Sequence, residues 1–314
     1  MTRVAVVGAG LSGVACARAL RAAGIDAHLL ERGRVPGGRM AARTLWGRRV
    51  DLGASYLTVD DPGFAAVVDG WAARGLARQW TDTFTAVGAG AAESKPGPVR
   101  WGAPHGLRSL VEDLAVDVPL VRREVRALVE VEVEADAVVL AMPDPQARRL
   151  VGDHAAGDAL DREWEPVIAV AGRWPDRTWD GSSPTGRFDG AFVNDDPDVA
   201  WIADDGRRRG DDAPVLVAHS TPALAARHLD DPSGAAPGVL RAVQRLLDVG
   251  DPADVHVHRW TFARPTGRRD EPYLLVDGDR PVGVCGDGWG ETPKVETAWL
   301  SGTRLGRALA ARLT

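Results

Sequence analysis

Cysteine, lysine, tyrosine and methionine are all scarce in this sequence. Of 314 residues, only two are cysteine (Cys16 and Cys285), two lysine (Lys95 and Lys294), two tyrosine and three methionine. The two cysteines lie far apart and form no C-x-x-C pair. They supply neither a disulfide framework nor a thiolate zinc site, and a reducing cytoplasm is the expected compartment. No run reaches the roughly 18 uncharged apolar residues that a membrane-crossing helix needs, so no membrane partner is expected. A formal charge of -6 provides no basic excess for nucleic acid. The rest of the composition, 45% apolar and 26% charged, is that of a globular chain. Its length corresponds to about two domains.

The N-terminus carries the densest local signal. Val4 to Val7 form an all-apolar run, as a strand buried on both faces requires. Gly8-Ala9-Gly10-Leu11-Ser12-Gly13 follows, then an alanine- and leucine-rich stretch from Val14 to Ala23 that predicts a helix closed by Gly24. Ile25 to Leu30 predicts a second strand ending at Glu31. In such a unit Gly8 makes the tight turn, Gly10 lets backbone approach a pyrophosphate, and Gly13 packs helix on strand. The amides of Leu11 and Ser12 open the helix toward the phosphates. Glu31 stands where a carboxylate accepts hydrogen bonds from ribose hydroxyls. Strand, glycines, helix, strand and acid in this order predict a bound dinucleotide.

Further along stand Glu31-Arg32, Gly37-Gly38-Arg39-Met40-Ala41, Asp51-Leu52-Gly53-Ala54 with Ser55 and Tyr56, and Val138 through Met142 to Ala147. Later come His219-Ser220-Thr221-Pro222, His258-Arg259-Trp260 with Ala263-Arg264-Pro265, Cys285-Gly286-Asp287, and Lys294-Val295-Glu296 through Ala298 to Gly302. Together these segments resemble the FAD-binding amine-oxidase superfamily, and within it the renalase-like flavoproteins. The resemblance spans the whole chain in the family's order. It implies non-covalent FAD held by the residues of the first motif, Glu31, Arg32, Gly38, Arg39, Met40, Gly53, Ala54, Ser55, Val125, Met142, Gly286, Asp287, Lys294, Val295, Glu296 and Ala298. It also implies a small-molecule substrate, oriented here by Tyr56, His258 and Trp260, and molecular oxygen as acceptor in a monomer or homodimer. In that family, hydride passes from a dihydronicotinamide isomer to the flavin and hydrogen peroxide is released. An amine oxidase or desaturase is the alternative reaction, and a flavin-loaded sensor without turnover is the alternative of another class. The chain departs from the family pattern at Ser55 and Leu57 and at His105. Trp101, His105 and Trp289 are further aromatic or imidazole candidates for the pocket. His256 and His258 share a strand face without a third ligand, so no metal site is read.

The expected architecture is α/β, a Rossmann-like FAD-binding domain with a second α+β domain built on a mostly antiparallel sheet. Residues 1–60, 105–147 and 275–314 are assigned to the first domain, and 61–104 and 148–274 to the second. Six finer expectations accompany this. Phe64 to Arg78 reads as a helix, and Gly88 to Pro98 as a loop. Arg122 to Glu134 reads as a short hairpin, with Val125 where the family's backbone meets the adenine. Asp204 to Asp212 reads as a solvated charged turn. Val167–Gly172, Ala200–Ala203, Val215–His219 and Val255–Trp260 read as strands. Pro293 is expected as the first residue of a helix reaching Leu313.

Overall fold

The computed structural model describes residues 2–88 and 90–314. Apolar β-branched runs assemble a six-stranded sheet in the order Leu274–Val276, Val282–Val284, Ala137–Leu140, Arg3–Val7, Asp26–Glu31 and Leu120–Arg122. All neighbours are parallel except the first pair. Alternation along each strand sends Val4, Val6, Leu29 and Val139 to one face, beneath helices Leu11–Ala22, Arg108–Ala115 and Val295–Leu313. Ala5, Val7, Leu30, Val138 and Leu140 go to the other face, beneath helix Asp144–Val151. From Arg3–Val7 the chain departs to one side and later returns on the other. This leaves a crevice beyond Val7, where parallel α/β sheets bind ligands.

Helices Leu11–Ala22 and Val295–Leu313 cross with almost no space between them. A Cβ on Gly302 would lie 2.0 Å from the Ser12 carbonyl oxygen, and one on Gly306 would lie 2.6 Å from that of Cys16. The C-terminal helix is thereby locked onto the N-terminal phosphate loop. Both cysteines are buried free thiols beneath this contact.

The second sheet has seven strands in the order Asp254–Pro265, Trp164–Arg173, Val215–Ser220, Val199–Asp204, Gly190–Val193, Arg78–Val87 and Glu93–Gly102. Only one of its neighbouring pairs is parallel. One face packs Ile168, Val170, Ile202, Leu216 and Ala218 against helix Ala236–Leu247. The opposite face packs Ala169, Ala171, Val215 and Val217 against Val50 and Leu52. Val50 belongs to a two-stranded ribbon, Ala42–Leu45 and Arg48–Asp51, its turn made by Trp46 and Gly47, both at positive φ.

Several local expectations need correction. The helix opened by Asp61, whose carboxylate accepts from the Gly63 and Phe64 amides, ends at Ala73, and Arg78 already begins a strand. Gly75 at positive φ makes the break. Glu93–Gly102 is a strand rather than a loop. It lies at the sheet edge, where Pro96 and Pro98 cost no ladder hydrogen bond on the open side. Arg122 to Glu134 contains no hairpin. Leu128 and Val131 bury together at helical spacing in a single turn, Val129–Glu132, closed by Arg123 donating to the Glu130 carbonyl and Glu134. The C-terminal helix begins at Val295 with Lys294 as N-cap, so its first residue lies two positions beyond Pro293. The largest difference concerns Asp204 to Asp212. Asp205–Arg209 is a short helix whose Asp205, Arg208 and Arg209 are buried ion-paired groups, not a solvated connection.

Candidate functional site

The crevice beyond Val7 is built mostly of backbone. A Cβ on Gly8 would meet the Ala141 carbonyl oxygen at 2.6 Å, and one on Gly13 would meet that of Gly8 at 2.0 Å. Neither position tolerates a side chain. Gly10 differs, because the nearest atom to an added Cβ is the Gly38 Cα at 3.7 Å. A Cβ on Gly38 would in turn lie 3.0 Å from the Gly10 Cα, so the two glycine backbones are in direct contact. Gly10 caps the helix without a side-chain hydrogen bond, so the first-turn amides of Leu11, Ser12 and Gly13 have no intrahelical acceptor and point out of the helix. Glu31 ends its strand with its carboxylate accepting from the Ala9 amide at 2.9 Å and the Gly33 amide at 2.7 Å. The Gly37 amide donates to the Ala9 carbonyl, which ties the second glycine pair to the first. An uncapped helix terminus, bare glycine backbone around it and a fixed carboxylate fit the phosphates and ribose of a dinucleotide.

Arg39 reaches across the site. Its guanidinium pairs bidentately with Asp287, donates to the Ala263 carbonyl and lies 4.7 Å over the Trp164 ring. The structure thus joins Arg39 to Asp287, two candidates 248 positions apart in the chain. Gly286 donates to the Ser301 hydroxyl and faces the Met142 carbonyl at the mouth of the crevice. Val125 is half-buried beside the same core layer as Met142. Arg32 and Gly38 are exposed, while the Met40 side chain is in the core and offers only its backbone.

At the C-terminal helix, Lys294 pairs with Asp60 at 2.8 Å. The buried Glu296 carboxylate accepts from the Asp60 and Asp61 amides. Val295 and Ala298 pack on the large core. These side chains fix the helix N-terminus, leaving its first amides as the groups free to meet a ligand.

The turn after Asp51 lies against Arg39. Ala54 donates to the Arg39 carbonyl at 2.9 Å, and a Cβ on Gly53 would lie 2.0 Å from that oxygen and 3.1 Å from the Trp260 ring. Trp260 donates through Nε1 to the Leu52 carbonyl at 2.8 Å, and its ring sits 4.5 Å from the His258 ring, edge to face. Tyr56 lies 5.4 Å from Phe84 and 6.0 Å from Trp201, whose Nε1 donates to the Ser55 hydroxyl. Tyr56, His258 and Trp260 therefore border one turn. The other candidates do not gather there. Trp101 pairs its backbone with Leu57, His105 is exposed, and Trp289 is in the core under Arg269.

Strand register reveals a residue that sequence reasoning missed. His258 pairs with Ala169, Ala169 with His219, His219 with Trp201, and Trp201 with Phe192, so all five share a face. The adjacent row is His256, Ala171, Val217, Ala203 and Gly190. The alternation Val215, Val217, His219 carried the signal, but only cross-strand register shows which face it serves. Neither row contains a carboxylate. Ala169, Ala171 and Val217 in the middle strands are covered by Val50 and Leu52.

Burial pushes both His219 and His258 down to about 4, helped by Arg208 for the first and Arg43 for the second. The His219 Nε2 is buried without a hydrogen-bond partner. An unfolded imidazole titrates near about 6.5. Between that value and the folded one the unfolded chain takes up more protons, so this stabilisation is complete above the unfolded value and is lost as pH falls toward the folded one. Substituting His219→Asn should reduce the fall in melting temperature across this window, measured by calorimetry against the unsubstituted protein. An unchanged fall would contradict a neutral buried imidazole at this position.

The second missed group is the buried ion cluster. Asp205 accepts from Arg48 at 2.5 Å, from Arg209 at 3.0 Å and from Arg208. Arg209 also pairs with Asp51 at 2.8 Å. Burial pushes the Asp205 carboxyl up, but Arg209, Arg208 and Arg48 outweigh it and hold it below the ordinary range. Arg208, wholly buried, donates to the carbonyls of Ser55 at 3.0 Å and Asp51 at 3.1 Å. The cluster thus pins both ends of the Asp51–Ser55 turn.

Comparison with known proteins follows these features. Residues 6–71 match the NAD(P)-binding Rossmann-like domain, and residues 91–309 match the flavin containing amine oxidoreductase family. Renalase of Mus musculus is 24% identical, over 91% of this chain and 92% of its own. Cyclohexylamine oxidase from Brevibacterium oxydans has the same fold, with a TM-score of 0.73 and 14% identity over 99% of both chains. A triple mutant of putrescine oxidase gives 0.72 and 16%, again over 99% of both. Among the described residues, no helix is long and apolar enough to cross a membrane. The chain is a flavin-dependent oxidoreductase, a member of the flavin-containing amine oxidoreductase family.

Proposed function

We propose that this protein oxidises a dihydronicotinamide isomer, 2- or 6-dihydroNAD(P), on a non-covalently held FAD. Oxygen takes up the electrons as hydrogen peroxide. In this reading, residues 1–60, 105–147 and 275–314 bind the flavin, and residues 61–104 and 148–274 carry the substrate. The first-turn amides of Leu11, Ser12 and Gly13 would hold the pyrophosphate, Glu31 the ribose, and the amides around Val295 the pyrimidine edge. A bound flavin supplies an acceptor for hydride and a route for two electrons to oxygen.

The observation that carries the reading is the composition of the two adjacent rows. They present Trp201, Phe192 and imidazoles held neutral by burial, and no carboxylate. A substrate that gives up hydride directly needs positioning rather than a strong base. Tyr56 and Trp260 offer ring faces for a planar heterocycle, and His258, edge-on to Trp260, restricts how the indole can turn. Cys285 is wholly buried and leaves the flavin without a covalent tether from that thiol.

The test is anaerobic mixing of the flavin-loaded protein with 6-dihydroNAD, followed by admission of oxygen. Bleaching of the flavin and then stoichiometric peroxide are expected. Bleaching by amines but by neither dihydronicotinamide isomer would replace this reading with amine oxidation.

A further inference from the structure

Beside Tyr56 the aromatic face contains a cation with no counter-ion. Arg100, on the edge strand Glu93–Gly102, is 6% exposed, and its guanidinium lies 4.4 Å over the Phe84 ring. Phe84 in turn packs against Tyr56, Trp80, Phe192 and Trp201. One guanidinium nitrogen donates to the Asp82 carbonyl, and Nε is buried with no partner. Among the described residues no carboxylate forms an ion pair with Arg100. The Asp82 carboxylate accepts from the Thr83 hydroxyl instead. Lys294, the other cation felt at the Tyr56 phenol, is already neutralised by Asp60.

A buried charge is expensive unless paired, and ring faces offset only part of that cost. All the other strongly buried arginines here have their acid or a set of carbonyls. Arg208 and Arg209 have Asp205, and Arg162 has three carbonyl oxygens, those of Thr266, Gly267 and Gly288. The Arg208 Nε is also buried without a partner, so what sets Arg100 apart is that its one hydrogen-bond partner is a single carbonyl.

We propose that Arg100, with the Tyr56 hydroxyl, is the recognition point for an anionic group of the substrate, a carboxylate or a phosphate. The proposal rests on the reading that Tyr56 lines the substrate pocket. It deepens that reading by fixing the charge of what enters. A protonated amine would meet a second positive charge at this corner, whereas an oxyanion would complete the missing pair with charge-assisted hydrogen bonds. The aromatic rings would hold the planar part of the same molecule.

The experiment titrates the flavin-loaded protein with phenyl phosphate, benzoate, benzyl alcohol and benzylamine, read by the perturbation of the flavin absorbance. At least one of the two anions should bind roughly tenfold or more tightly than benzyl alcohol, and the stronger of the two identifies phosphate or carboxylate. Arg100→Met should weaken that anion by roughly ten- to a hundredfold while leaving benzyl alcohol within about twofold. Arg100→Lys keeps the charge and should recover most of the loss, which separates recognition from damage to the fold. Anion binding unchanged in Arg100→Met, a parallel loss for the alcohol, or tighter binding of benzylamine than of either anion would overturn the proposal. Because no turnover is needed, a protein that binds anions through Arg100 yet is not reduced by dihydronicotinamides would sink the function reading and leave this one standing. Normal turnover with unchanged KM in Arg100→Met would do the reverse.

Discussion

Replacing Asp205 by Asn should destabilise the protein by about 3–5 kcal/mol, because it leaves buried cations without their acid. For a chain of this size that corresponds to a fall in melting temperature of roughly 6–15 °C, read by scanning calorimetry. Three arginines converge on this carboxylate from two separate stretches of chain, Arg48 from the ribbon and Arg208 and Arg209 from the short helix. The asparagine amide has the same shape but lacks the charge that offsets them. Stability alone does not account for such a cluster, since a well-packed apolar plug often serves a core equally well. Arg208 supplies the further reason, because its remaining hydrogen bonds go to the carbonyls of Asp51 and Ser55. The same substitution should therefore weaken flavin retention even below the melting range. A variant that melts as the original does would show that solvent already screens these charges.

The second large effect separates folding from cofactor capture. Gly10→Val should leave a folded protein with at least about tenfold weaker flavin binding, a difference of about 1.4 kcal/mol or more. At Gly10 an added Cβ finds only the Gly38 Cα at ordinary contact distance, and the backbone is extended with negative φ, so the fold itself tolerates a side chain. What the isopropyl group covers is the bare glycine backbone beside the uncapped helix terminus. Gly13→Val gives the contrast, because its Cβ would lie 2.0 Å from the Gly8 carbonyl and the helix could no longer seat on the strand. Circular dichroism and the flavin-to-protein absorbance ratio should show the first variant folded and pale, and the second unfolded. Normal flavin content in Gly10→Val would mean that the dinucleotide does not lie against the Gly10 backbone.

These contrasts indicate which parts of the molecule were legible from residues alone. The glycine turn, the flanking strands and Glu31 could be read because each role is local: a turn needs its glycine, and a buried strand needs its apolar run. The four segments read as strands around Val167, Ala200, Val215 and Val255 all belong to the second sheet, each extending further than its apolar stretch suggested. Composition misled where the partner was remote. Asp204 to Asp212 has the make-up of a surface turn, and only Arg48 and Asp51, more than 150 positions away, turn it into interior. The segment around Pro96 and Pro98 has the make-up of a loop, and only its place at a sheet edge makes it a strand. His219 and Arg100 were hidden for a related reason. Which face a strand residue serves depends on neighbours that no single strand specifies.

The tight crossing at Gly302 and Gly306 also bears on the order of events at the ribosome. Residues 4–31 contain the whole phosphate turn, yet Ser12 and Cys16 also pack against helix Val295–Leu313, and strand Val282–Val284 flanks the sheet beside Ala137–Leu140. A nascent chain must therefore carry its nucleotide-gripping loop unfinished until helix Val295–Leu313 has been made, and only then does the grip close.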